Sequence, residues 1–356
     1  MDAAARLIPK IGPKVGDELS FPQGSPPAPG TTLEAAPGVR WLRMPLPFAL
    51  DHINLWLLED EGGWTIVDTG FGRGEETKEL WQRVFASTLG GRPVRRVIVT
   101  HFHPDHIGLA GWLCERFAVE LWITQAEWLT GQLVRHGWSS GDVERRVGFY
   151  RRNGLAAETC EALRARGNLY AQNVSPIPVT YRRIMRGEEI AIDGRAWRVV
   201  IGEGHAPEHA CLYCRELGVL IAGDQILPKI TPNVSVFPDQ PDGNPLKLFL
   251  DSLASFRELP PETLVLPSHG LPFYGLALRL EQFVKHHDVR LERTAAACEV
   301  PRSAAEIIPV LFRRKLDLHQ ITFAIGESLA HLHYLESLGA LRRESGGDGV
   351  YRFVKA

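Results

Sequence analysis

The sequence predicts an α/β protein: a layered core of strands and helices, interrupted by a helical insertion and followed by a compact helical tail. Three observations carry this. Apolar stretches of strand length alternate with helical periodicity from Val39 to Ile123 and return from Glu188 to Leu266, the pattern of sheets covered by helices. Between them, from about Glu127 to Arg183, strand signals give way to Arg, Gly and aromatic residues, among them Phe149, Tyr150 and Tyr170. Past residue 275, three helical segments precede a hairpin pattern, the order of a winged helix.

Each element follows from its residues. Residues 1–35 are rich in Pro, Gly and Ala, as in Pro22 to Gly30, and contain no apolar run of signal-peptide length. The core, residues 36–275, opens with strands at Val39–Met44, Ile53–Glu59 and Trp64–Val67, with Gly62-Gly63 turning the last two. A helix from Glu75 to Ser87 sets Leu80, Val84 and Phe85 on one side. Val97 to Thr100 is a buried strand, Gly108 to Phe117 a helix, and Val119 to Ile123 another strand. After the insertion (127–185), strands are expected at Glu188–Ile192, Ala196–Ile201, Ala210–Cys214, Val219–Ala222 and Thr263–Leu266. In the tail, residues 276–356, Leu276, Leu280, Phe283, His287 and Leu291 recur at helical spacing. Ser303 caps a second helix, His319 to Ser337 forms a third, and Gly339 stops it. Leu341–Glu344 and Val350–Phe353 pair as a hairpin.

Composition narrows the setting. A chain of 356 residues with 44% hydrophobic and 23% charged residues is an ordinary globular protein. A net charge of -2 gives no global attraction to nucleic acid or anionic membranes. Five cysteines, odd in number, argue against a disulfide scaffold and for a reducing, cytoplasmic setting. Cys211 and Cys214 form a CxxC, yet they sit in a strand, where residues three apart face opposite ways. They read as structural. No membrane association is expected.

The chemistry is concentrated in seven residues: His101, His103, Asp105 and His106, then His205, Asp224 and His269. Imidazole and carboxylate groups suit zinc and related divalent ions. Two His one residue apart on an extended loop can turn toward one point, so His101 and His103 share an ion. Asp105 and His106, opening the next helix, project toward a second point. His205, Asp224 and His269 each stand at a strand end beside glycine, which lets backbone pass close to the site.

These motifs resemble the metallo-β-lactamase superfamily of metal-dependent hydrolases. Its HxHxDH signature stands here as His101-Phe102-His103-Pro104-Asp105-His106, with the later motifs at His205, Asp224 and His269, and Val67-Asp68-Thr69-Gly70 matching its early strand-end motif. The resemblance covers about residues 35 to 275. It implies an αββα sandwich with two divalent metal ions at one edge of the sheets, most simply zinc, with iron and manganese open. One ion would take His101, His103 and His205, the other Asp105, His106 and His269, with Asp224 bridging. Asp68 and His209 would support the ligands without touching metal. Two cations bring the pKa of bound water toward about 7, and the resulting hydroxide would attack a carbonyl or phosphoryl centre. Asp105, the expected catalytic residue, would orient that nucleophile and shuttle its proton.

Branches of the superfamily differ in chemistry. Diiron oxygen-reducing relatives carry Glu where His103 stands, and several true β-lactamases replace the residue at Asp224, so both are disfavoured. A small ester, thioester or lactone, as in glyoxalase II-like enzymes, is the leading substrate class. A metal-dependent endoribonuclease or phosphodiesterase, as in lactamase-β-2-like proteins with a similar tail, is the alternative. The presumptive recognition helix holds Glu327 and Glu336 but no Lys or Arg, so the tail is expected to be structural, to form a homodimer or to frame the pocket rather than bind nucleic acid. His52, Asn233 and Tyr274 are candidate pocket residues. Lys229 could meet substrate from the loop after Asp224, and His286, His287 and His331 read as packing or surface residues.

Overall fold

The computed structural model describes residues 18–137 and 139–356; the first 17 residues of the Pro/Gly-rich segment lie outside the described residues. The chain opens as an antiparallel meander, β1 (Thr32–Ala36), β2 (Val39–Pro45), β3 (His52–Asp60) and β4 (Gly63–Val67). Helix α1 (Glu76–Val84), continued by a π turn at Phe85–Leu89, leads to β5 (Val94–Ile98), parallel to β4. The short α2 (Pro104–Ile107) and α3 (Ala110–Phe117) lead on to β6 (Leu121–Ile123). The insertion is α4 (Gln125–His136), α5 (Ser140–Arg152), α6 (Ala157–Arg166) and α7 (Leu169–Asn173), closed by β7 (Arg182–Arg183). A second sheet follows, of β8 (Glu189–Ile192), β9 (Arg195–Gly202), β10 (His209–Cys214), β11 (Val219–Gly223) and, after α8 (Pro245–Arg257), β12 (Leu264–Pro267). The tail is α9 (Leu276–Ala297), α10 (Ala304–Leu311), α11 (Leu318–Ser337) and a hairpin, β13 (Leu341–Ser345) with β14 (Tyr351–Lys355).

Side-chain alternation builds the layers. Along β3, Leu55 and Leu57 pack outward with Leu80 and Trp81 of α1 and Leu113 of α3, while Trp56 and Leu58 point inward against Trp197, Val199, Leu212 and Ile221 of the second sheet. That sheet's outer face, with Val200, Cys211, Tyr213 and Leu220, is covered by Phe249 of α8, Phe283 of α9 and Leu329 of α11. The result is an αββα sandwich. The CxxC splits as its period requires, Cys211 facing the helices and Cys214 lying between the sheets. All five cysteines are free and buried.

The elements depart from expectation in a few places. β1 begins at Thr32, inside the stretch grouped by composition with the leader; as an edge strand with an exposed Leu33 it carries little apolar signal. Helix α8 was not anticipated, although Leu246, Phe249, Leu253 and Phe256 lie on its one buried face. The tail's helices and hairpin come in the expected order, but α11 is buried at every residue from Ala324 to His333. A groove-reading helix would be laid open there. Among the described residues, no helix is long and apolar enough to cross a membrane.

Strand direction positions the site. β4, β5, β9, β11 and β12 all end at the same edge of the sandwich, and the segment after each carries Asp68, His101–His106, His205, Asp224 and His269 in turn. Backbone bonds between the sheets stitch that edge, Asn54 N–H to Ser268 O (2.7 Å) and Ala210 N–H to Thr100 O (2.8 Å).

Candidate metal centre

The seven candidate ligands converge. Donor atoms of His101, His103, His205 and Asp224 lie within 4.8 Å of one another, and those of Asp105, His106 and His269 form a second such group. Asp224 joins the two: Oδ2 is 3.4 Å from His205 Nε2, and Oδ1 is 3.2 Å from His269 Nε2 and 3.5 Å from His106 Nε2. Asp105 Oδ2 lies 3.5 Å from His269 Nε2.

Each ring is aimed by what its other nitrogen does. His205 Nδ1 donates to the Asn233 carbonyl (2.8 Å), His269 Nδ1 to the His52 carbonyl (2.7 Å) and His106 Nδ1 to Asp68 (2.8 Å). All three therefore present an Nε2 lone pair to the centre. Asp68 does more, accepting also from the Thr100 amide (2.8 Å) and hydroxyl (2.9 Å). Its φ of 61° is a left-handed conformation that an Asp side chain adopts at some cost, here held by those bonds.

The donor set fits divalent cations. Buried His106 Nε2 and Asp224 Oδ1 have no hydrogen-bond partner, and the Nε2 atoms of His205 and His101 face each other at 3.2 Å. Orphaned lone pairs converging in a buried pocket are costly unless a cation fills it. The packed charges shift these groups strongly, the rings in opposite directions. Burial, reinforced by neighbouring imidazoles, holds His101 and His103 well below the usual histidine range. Burial opposes ionisation of Asp224, yet His269 and His106 prevail and hold it well below the usual carboxylate range. Burial pulls His106 down too, but Asp68, Asp105 and Asp224 raise it well above.

His209 is a support. Its Nε2 accepts from the Asp224 amide (3.0 Å), and its ring stacks on His101 at 4.6 Å. Gly223, at φ 52°, makes this possible, because a Cβ there would lie 2.4 Å from the His209 ring. Glu127, unremarked in the sequence, proves central. Fully buried at the start of α4, it accepts from the Phe102 amide (3.0 Å), between two ligands, and from the Glu208 amide (2.6 Å), between His205 and His209. Glu208 in turn accepts from the Ala126 amide and, through its carbonyl, from the Thr124 hydroxyl. One carboxylate thus ties the ligand loops of both sheets. The visible signal was Thr124-x-x-Glu127, which reads as a helix-capping box, though both side chains are spent across the sandwich.

Of the candidate pocket residues, His52 and Asn233 lie directly beside ligands, His52 with its ring 6.0 Å from that of His269. His52 is held on both sides: its Nε2 accepts from the Gly270 amide (2.9 Å), its Nδ1 donates to the Asp51 carboxylate (2.6 Å), and its carbonyl aims His269. Asn233 serves through its carbonyl on His205, while its side chain accepts from Ser235 (2.7 Å). Tyr274 follows a chain reversal. The chain reverses after Gly270 so that Phe273 pairs with Val265 and Tyr274 with Ser20, four strand positions back from His269, about 13 Å at 3.3 Å per residue. The loop carrying Lys229 packs on Gly270 through Pro228 and is held by Arg279, which donates to the Leu227 and Ile230 carbonyls.

Comparisons with known proteins agree with this architecture. The metallo-beta-lactamase superfamily profile matches residues 49–269, and that of the metallo-beta-lactamase-like C-terminal domain matches residues 291–356. The chain is 24% identical to the Bacillus subtilis protein named "Probable metallo-hydrolase YqjP" over 87% of this chain and 96% of that one. It is 22% identical to a beta-lactamase-like protein 2 homolog from Caenorhabditis elegans, over 74% of this chain and 70% of that protein. Among solved structures, a beta-lactamase domain protein from Burkholderia ambifaria is 49% identical with a TM-score of 0.89, covering 95% of this chain and 98% of its own. A metallo-beta-lactamase family protein from Thermus thermophilus is 32% identical with a TM-score of 0.76, covering 91% and 100%. With the profile spanning more than half of the sequence and the ligand motifs gathered at one sheet edge, the chain belongs to the metallo-β-lactamase superfamily.

Proposed function

We propose that this protein is a binuclear metal-dependent hydrolase of a small ester, thioester or lactone. The observation that carries the reading is the pair of donor groups joined by Asp224, with buried lone pairs left unsatisfied at their junction. His101, His103 and His205 would hold one ion and Asp105, His106 and His269 the other, with Asp224 between. When bound, divalent ions such as zinc supply Lewis acidity and a nucleophilic water at neutral pH.

The protein's own groups do the rest. Asp105 is the most open of the carboxylates in the cluster, its side chain 19% exposed against 10% for Asp224. It is therefore the group best placed to orient an incoming water, take its proton and return it to the leaving group. His52, Asn233 and Asp68 fix the ring orientations on which that geometry depends. His209 and Glu127 fix the backbone between them.

Nucleic-acid cleavage is less well supported. α11, the helix in the recognition position, carries no Lys or Arg and is enclosed along its middle, so it is not offered to a groove. A structural tail that frames the site, in a cytoplasmic protein with five buried free thiols, fits better. The test is metal analysis coupled to a panel of esters, thioesters, lactones and phosphodiesters. Asp105→Ala should lower kcat on the preferred substrate by about a thousandfold or more while the far-UV spectrum is retained. Full turnover by that variant would refute the role given to Asp105.

A further inference from the structure

Outside the ligand cluster, four aromatic rings form one connected string. It begins at Phe71, two residues past Thr69, whose hydroxyl donates to the His106 carbonyl (2.6 Å). Phe71 meets Phe48 edge-on at 5.4 Å. Phe48 lies in the β2–β3 turn, four residues before the His52 that aims His269. Phe48 stacks on His319, in the first turn of α11, at 5.5 Å and 16°. His319 meets Phe323 one turn on, at 5.0 Å. The Phe323 carbonyl then accepts from Ser235 (3.2 Å), two residues past the Asn233 that aims His205.

The string therefore links the segment that holds the His106 carbonyl to the segment that holds His205. It is anchored by buried Phe71, yet Phe48 is 42% exposed, His319 is exposed and Phe323 only half-buried. Contiguous aromatic rings with a few polar groups nearby are the usual lining of a ligand site. Their position is also fixed. Asp317 caps α11 through the His319 and Gln320 amides (2.9 and 2.8 Å). Further along, Gly326 accepts from the Val236 amide (3.1 Å) at a contact where a Cβ would lie 2.7 Å from Ser235. The helix is thereby locked in register against the segment that holds His205.

We propose that Phe48, His319 and Phe323, backed by buried Phe71, form the apolar wall of the substrate site, holding a hydrophobic acyl chain or ring attached to the scissile bond. The first turn of α11 supplies part of that wall, so the C-terminal segment selects substrate without touching metal. This rests on the hydrolase reading above. Docking of the tail onto the core is the competing use of the same contacts, and it predicts no preference among acyl groups.

The experiment uses the metal-loaded full chain with acetyl, octanoyl and benzoyl thioesters of N-acetylcysteamine, and calorimetry with the non-hydrolysable octyl thioether. The wild type should favour octanoyl or benzoyl over acetyl in kcat/KM, the two apolar arms separating chain from ring. Phe48→Ala and His319→Ala should each lower the apolar-to-acetyl ratio about tenfold, and His319→Phe should restore it. Thioester turnover with no acyl preference, or variants that lose all substrates equally together with Tm, would overturn the wall and leave the hydrolase reading intact. Absent thioester turnover, thioether binding that weakens about tenfold in both variants upholds the wall while the hydrolase reading falls. No thioether binding by the wild type overturns the wall.

Discussion

Among the described residues, two clusters of histidine are buried, and one of them has the form of a metal site. At the sheet edge, His101, His103, His106, His205 and His269 surround Asp105 and Asp224, and a ring nitrogen of each faces inward, Nε2 in His101, His106, His205 and His269. In the tail, His287 Nδ1 lies 3.3 Å from His331 Nε2, with His286 against His287 and Glu327 nearby. There, however, the carboxylate is consumed by Arg290 at 2.5 Å, and His331 Nδ1 donates to the Glu327 carbonyl within its own helix. Burial does not separate the two. What separates them is the supply of uncommitted carboxylate: Asp224 leaves an oxygen unbonded among ring nitrogens, whereas Glu327 is already neutralised.

The sharpest way to break that contrast is Asp68→Asn. The amide can still accept from Thr100 but offers N–H to His106 Nδ1, driving the ring proton onto Nε2 and pointing a donor at the cation site. Metal affinity, measured by competition with a chromogenic chelator, should fall by about 10–100-fold. Unchanged affinity would mean that the Asp68–His106 pair shapes the fold alone. Glu127→Gln is the milder test. One of the two amides it holds, Phe102 or Glu208, would then face an N–H donor, costing about 1–3 kcal/mol and loosening the spacing between the loops of His103 and His205. Weaker metal binding, by a few-fold to about tenfold, should accompany the loss of Tm. A fall in Tm alone would reduce Glu127 to a structural clamp.

The same contrast marks how far the sequence could be read. His101 to His106 is legible because its ligands are contiguous, so local geometry already brings them together. His205, Asp224 and His269 are legible as strand-end residues beside glycine, and through the order of the superfamily motifs. Glu127 was not, since its role exists only once Phe102 and Glu208 arrive from different sheets. Tyr274 shows the converse: five residues suggest nearness to His269, but the chain reverses after Gly270 and runs back along β12. The aromatic string joins residues 48, 71, 319 and 323, a separation at which no local pattern operates. The tail helices were readable from periodicity, yet the enclosure of α11 depends on α8, α9 and the 233–236 segment closing around it.

The tail cluster supplies the smallest effect on turnover and the cleanest pH signature. Burial first, and then Arg290 and His286, lower His331 to about 4, against the pull of its bond to the Glu327 carbonyl. The neighbours act likewise: His286 is lowered to about 4, and His287 lies well below the usual range. A histidine whose folded pKa lies below its unfolded value of about 6.5 is held neutral by folding. Its contribution is complete above that value and is lost as pH falls toward 4, because the unfolded chain then binds the proton that the fold refuses. For His331 the loss is on the order of 3 kcal/mol by pH 4. His331→Leu keeps the volume and removes the titration. In metal-stripped protein, where ligand protonation is common to both forms, the variant's stability should fall less steeply than the wild type's between pH 6.5 and 4. With metal restored at pH 7.5, turnover and metal content should match the wild type. A loss of bound metal in the variant would give the tail histidines a share in metal binding and erase the distinction between the two clusters.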